Sequence, residues 1–172
     1  MRERAKVQRY RIPRGNRGIR KTVRFMGRLA REALTDPLTV ETAALIVNGS
    51  SEPGEMASRI REFLVEYVRF VPDPVGQELI RSPRFMLERV RSHGFASGDC
   101  DDVATLGAAL GMCVGLPARF VLLSFSPLEP FSHVYAEIAN GCCWTELDTT
   151  APAQFPPGLQ VFGTETHEVD VR

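Results

Sequence analysis

Residues 99–114 read Asp99-Cys100-Asp101-Asp102-Val103-Ala104-Thr105-Leu106-Gly107-Ala108-Ala109-Leu110-Gly111-Met112-Cys113-Val114. Three acids and a thiol give way to an almost unbroken run of small and apolar side chains. A helix that is apolar on every side has no face to offer water, so this run predicts a helix buried in the middle of the domain. Asp101 and Asp102 suit the positive end of its dipole. Gly115 ends it and Pro117 forbids its continuation.

Downstream the period changes. Ala118 to Phe125 is a near-continuous apolar run and reads as a strand. His133 to Ala139 alternates, Cys142 to Asp148 alternates again, and Asn140-Gly141 between them reads as a hairpin turn. Upstream, Val23, Met26, Leu29, Ala30 and Ala33 recur at helical spacing from Thr22 until Asp36-Pro37 breaks the pattern. A second helix is expected from Thr39 to Asn48. A third is capped by Ser51, with the stripe Met56, Ile60, Phe63, Leu64, Tyr67 and Val68. A short one is expected around Pro83 to Arg91, and Ser92 to Gly98 reads as loop. Helices first and an antiparallel sheet last indicate an α+β fold.

The 172 residues suffice for one domain with its own core. Charge divides the chain. Residues 1–31 hold twelve Lys or Arg against Glu3 alone, a charge of +11, and since the total is zero the remainder carries −11. Residues 1–21 are therefore expected to form a basic arm, and 22–172 a single domain. The arm either meets an acidic protein or nucleic acid, or folds back on the acidic body. No apolar run is long enough to span a membrane or to serve as a secretory signal. The default location is the cytoplasm, with a virion or phage particle also permitted. Four cysteines without a CxxC pair argue against a zinc ribbon or a dithiol redox site. Cys142 and Cys143, adjacent on a strand, are expected to place one thiol in the core and one at the surface.

Cys100 stands where the buried helix begins. A helix start and a nearby imidazole both favour thiolate, the nucleophilic form. Gly98 lets the backbone approach a substrate carbonyl, and the free amide at the helix start is an oxyanion donor. Of three histidines, His93 lies in a loop and His167 in the tail, whereas His133 opens a strand. With Asn140 and Gly141 as turn residues, 139 faces 142 and 133 faces 148. His133 and Asp148 are then side by side, the carboxylate orienting the ring. Two other readings stay open. Cys100 is a core thiol, or Asp99, Asp101 and Asp102 with His133 hold a metal, although their spacing matches no calcium loop. The flanking acids also raise a thiol's pKa.

The string Gly98-Asp99-Cys100-Asp101-Asp102, its apolar helix and Gly115-Leu116-Pro117-Ala118-Arg119 resemble the nucleophile segment of transglutaminase-like proteins. His133-Val134-Tyr135-Ala136-Glu137-Ile138 resembles that family's His segment. Trp144-Thr145-Glu146-Leu147-Asp148-Thr149-Thr150 resembles its Asp segment. The resemblance covers about residues 60–152. The segment from Phe70-Val71-Pro72-Asp73-Pro74 to Ser82-Pro83 also resembles a bacterial and phage-associated subgroup. The family implies a papain-like core, a Cys100–His133–Asp148 triad, acyl chemistry through a thioester on a protein or peptide substrate, and no cofactor. Its members include crosslinkers, peptidases, amide hydrolases and non-enzymatic relatives. Crosslinking members often carry a Trp upstream of the nucleophile, and here the single Trp is Trp144. The expectation is hydrolysis of an amide or peptide bond at an open site. Acyl transfer to an amine and a non-enzymatic assembly module are the alternatives.

Overall fold

Helix α5 (Cys100–Cys113) is buried from Asp101 to Met112, as its composition requires. A computed structural model describes residues 11–128, 130–150, 155–156 and 158–169. Close approach explains the small residues of α5. A Cβ on Gly111 would stand 2.5 Å from Ile138 Cγ2, and one on Gly107 would stand 2.9 Å from Leu147 Cδ1.

Among the described residues, four α-helices precede α5: α1 (Asn16–Glu32), α2 (Pro37–Val47), α3 (Pro53–Tyr67) and α4 (Pro83–His93). Three open in the same way, with a side chain capping the first turn and a proline inside it. Asp36 accepts from the Thr39 amide at 2.9 Å, Glu52 from Glu55 at 2.6 Å and Ser82 from Phe85 at 3.3 Å. The α3 cap is thus Glu52, one residue past the expected Ser51. Val23, Met26, Ala43, Ile60, Leu64 and Met86 are buried in the core around α5.

Two short strands, β1 (Val68–Phe70) and β2 (Ala96–Gly98), pair in parallel just before α5. Beyond it, β3 (Ala118–Ser124), β4 (His133–Ala139), β5 (Trp144–Glu146) and β6 (Gly163–Glu168) form an antiparallel sheet of order β5-β4-β3-β6. Phe120, Leu122, Ala136 and Ile138 supply its buried face. The α+β architecture expected from the sequence is the one observed.

Besides the shifted α3 cap, and α4 and β2 reaching into Ser92 to Gly98, which read as loop, the structure departs from expectation in four places. First, α1 begins at Asn16, six residues ahead of Thr22. Gly15 turns the chain at φ 69°, Gly18 is buried, Ile19 packs on the core, and Arg20 forms a two-pronged bond with Glu165 of β6 at 2.8 and 2.7 Å. Part of the expected basic arm is therefore core helix, while its residues 1–10 lie outside the described residues.

Second, the β4–β5 turn has four residues. Asn140 donates its amide to the Cys143 carbonyl at 2.9 Å and accepts the Cys143 amide on Oδ1 at 3.0 Å. Ala139 therefore pairs with Trp144 instead of residue 142. Third, Cys142 and Cys143 both lie exposed on that turn, unbridged, with sulfurs 3.3 Å apart. Fourth, the tail forms strand β6, whose polar alternation gives no apolar signal. Among the described residues, no helix is long and apolar enough to cross a membrane.

Candidate active site

The chain reaches Cys100 through β2, and Gly98 ends that strand. A Cβ at 98 would stand 2.6 Å from Asp102 Cβ, so a glycine is needed there for the first turn of α5 to fold back on β2. The sequence reading had reserved that space for substrate; Asp102 fills it. Asp102 is fully buried and accepts the Arg81 amide at 2.6 Å and the Asp99 amide at 3.3 Å. The Arg81 guanidinium also binds Asp102, and it reaches Asp73 at 3.5 Å. The segment before α4 is thereby tied to the turn that carries Cys100.

His133, the first residue of β4, is 2% exposed. Its Nε2 lies 2.6 Å from Asp148 Oδ2. The other Asp148 oxygen accepts the Thr150 amide at 3.0 Å and the Thr150 hydroxyl at 3.2 Å, which fixes the carboxylate plane. The ladder does not make this contact. Its register would set Asp148 opposite Tyr135, two positions along, so His133 and Asp148 meet as diagonal neighbours on one face. The correction to the turn is an even number of residues, so both side chains keep their face. With Nε2 engaged, Nδ1 is buried without a hydrogen-bond partner among the described residues.

Cys100 and His133 line one cavity of about 310 Å³, walled by α1 residues Val23 and Met26 and by Leu122. The Val134 backbone hydrogen-bonds the Cys100 sulfur, which favours thiolate. Stronger effects oppose it. Burial first, then the carboxylates of Asp101 and Asp99, push the Cys100 thiol up to about 12. The expected low-pKa thiolate is therefore corrected to a neutral resting thiol. Phe155 meets His133 edge-on at 5.2 Å and packs on Phe125 at 4.4 Å, covering the imidazole.

The other histidines lie apart from this arrangement. His93 ends α4 beside Arg89 and Ser92. His167, expected in an unstructured tail, sits on strand β6 and binds Glu165 at 2.6 Å. Trp144 stacks on Arg119, with 4.1 Å from guanidinium carbon to ring centre, on β5. Asp99, Asp101 and Asp102 place carboxylate oxygens within 4.8 Å of one another. Arg81 occupies Asp102, and His133 is turned to Asp148, so the four-residue metal set left open by the sequence is not brought together.

The Transglutaminase-like superfamily profile matches residues 40–149, more than half of the chain. The chain belongs to the transglutaminase-like superfamily. The match spans α2 through Asp148 and so includes all three candidate residues. No curated protein matches the sequence. Among solved structures, the fold is similar to a candidate protease of Parabacteroides distasonis, at TM-score 0.59 and 14% identity, over 86% of this chain and 29% of that one. A candidate cysteine protease from Cytophaga hutchinsonii gives TM-score 0.47 and 17% identity, over 76% of this chain and 50% of that one. This transglutaminase-like chain thus spans half or less of the length of each of the two. Membership of the superfamily supports a cysteine-dependent enzyme.

Proposed function

We propose that the domain is a cysteine hydrolase of amide or peptide bonds, with Cys100 as nucleophile, His133 as base and Asp148 as the group that orients the ring. One observation carries this reading: Asp148 takes His133 Nε2 and leaves Nδ1 unpartnered at a cavity that Cys100 shares. The Cys100 proton passes to Nδ1 as sulfur attacks the carbonyl carbon. The amide at the start of α5 stabilises the oxyanion. Collapse breaks the C–N bond, and the imidazolium hands its proton to the departing amine. Water then attacks the thioester, again losing a proton to His133, and frees the acid. A resting thiol suits this route, because the proton moves during attack instead of before it.

Acyl transfer to a primary amine is the second reading. The aromatic cover of Phe125 and Phe155 favours it, since amines compete with water best where water is excluded. The test combines a panel of amide-bearing peptides with a labelled primary amine. An acyl adduct on Cys100 by intact mass, with free acid as product, supports hydrolysis; amine incorporation supports transfer. Absence of adduct and of turnover across the panel would overturn both.

A further inference from the structure

The cavity that holds Cys100 has a second wall that the proposed chemistry does not use. Glu78, Asp99 and Asp101 line it. Asp101 is 3% exposed, and among the described residues no N–H or hydroxyl donates to either of its oxygens, whose hydrogen-bonding neighbours are the carboxyls of Asp99 and Glu78. An acid at a helix start is ordinarily met by backbone amides or water. This one is buried in the company of other carboxyls.

We infer that Glu78, Asp99 and Asp101 form a subsite for a cationic group of the substrate, an ammonium or guanidinium carried close to the scissile amide. The inference rests on the proposed role of Cys100. A cation there meets three needs at once. It gives the buried Asp101 oxygens donors, it offsets carboxylates that face one another, and it fits a cavity of about 310 Å³, room for a side chain. Among the described residues, the guanidinium bound to this acidic turn, that of Arg81, is spent on Asp102 and Asp73, leaving the Asp101 wall to an incoming charge. Burial, then the neighbouring carboxyls, raise Asp101 well above the ordinary carboxylate range, and burial followed by Asp99 raises Glu78. The same acids hold the Cys100 proton in place. An arriving cation weakens that hold, so the substrate itself helps to activate the thiol. A metal ion is the less suitable occupant, because Arg81 already takes the third carboxylate of the cluster.

The test uses three methanethiosulfonate reagents that carry a trimethylammonium, no charge or a sulfonate. Modification is read separately at each cysteine by peptide mass, with exposed Cys142 as the internal reference. The cationic reagent is expected to modify Cys100 at least tenfold faster than the anionic one after this normalisation. Glu78→Gln, an isosteric change at the rim of the cavity, and Asp101→Asn are each expected to cut that preference several-fold. Equal rates at Cys100, or a preference that survives both substitutions, would overturn the subsite alone. No modification of Cys100 by any reagent would overturn the subsite and the proposed nucleophile together. A preference abolished by low calcium and restored by chelator would make the wall an ion site and overturn the inference.

Discussion

Asp148 grips His133 from beyond the end of its own strand. The β4–β5 ladder stops at Glu137–Glu146, yet the carboxylate two residues later reaches the imidazole at 2.6 Å. Leu147 makes this possible. Its amide bonds the Ala136 carbonyl at 2.9 Å, and its side chain is 1% exposed against α5, so the chain turns toward the helix with Asp148 already aimed.

Asp148→Asn keeps the shape and removes the charge that selects the Nε2–H tautomer. The expected loss in kcat is about 10²–10⁴-fold with little change in KM, in line with orienting acids of other nucleophilic triads. Steady-state kinetics on an amide identified by the acyl-adduct test would measure it. Wild-type kcat in this variant would remove Asp148 from the mechanism.

The thiols should rank in an order opposite to the one the sequence suggests. Cys100 is pushed up to about 12 and Cys113 to about 11, in both cases mainly by burial. Small neutral alkylators are therefore expected to label exposed Cys142 before Cys100. Labelling at Cys100 should climb about tenfold per pH unit from 7 to 9, because the thiolate fraction rises in that proportion below the pKa. A plateau near pH 7 would signal a preformed ion pair with His133 instead.

Deleting residues 1–20 should lower the thermal midpoint, because residues 16–20 belong to α1 and not to a free basic arm. The cut removes the first turns of α1, the packed Ile19 and the Arg20–Glu165 pair. A loss of about 1–3 kcal/mol corresponds to several degrees in a domain of this size. Differential scanning calorimetry would record it, and an unchanged midpoint would place residues 16–20 outside the stable core.

Arg81→Ala should cost about 3 kcal/mol or more, since it strands the fully buried Asp102 carboxylate. Urea unfolding would measure the loss. Substituting Arg81→Met and Asp102→Leu together should restore part of it, whereas an additive loss would show that Arg81 acts independently of Asp102.

The α1–β6 clasp should weaken in acid. Hydrogen bonding to Arg20 holds Glu165 down at about 2, against 4.5 for the free side chain. A lowered folded-state pKa stabilises above the unfolded value, so the contribution is whole above pH 5 and fades as pH falls from about 4.5 toward 2. Because the pair is partly solvated, it amounts to on the order of 1 kcal/mol. Arg20→Ala should flatten the acid limb of a stability–pH curve by that amount. An identical limb in both proteins would refute the assignment.

Local chemistry determined much of this molecule in advance. The apolar, glycine-containing run after Asp102 can only be a buried helix, Gly115 and Pro117 can only end it, and the alternation from His133 to Ala139 sets one strand with an inside and an outside. These are properties of neighbouring residues, written at periods of 3.6 and 2. The face shared by His133 and Asp148 was also legible, because a turn of two or of four residues preserves the parity of the strand. Only the tertiary structure decided the rest. The turn closed on Asn140 and Cys143 rather than on Asn140-Gly141, a choice between two sound local solutions. β6 became a strand because β3 had an open edge, not because Thr164 to Glu168 carry an apolar pattern. The thiol of Cys100 went up in pKa instead of down. A helix start and an imidazole can be read along a chain, but the burial of a sulfur that faces carboxyls from two segments exists only once the chain has folded.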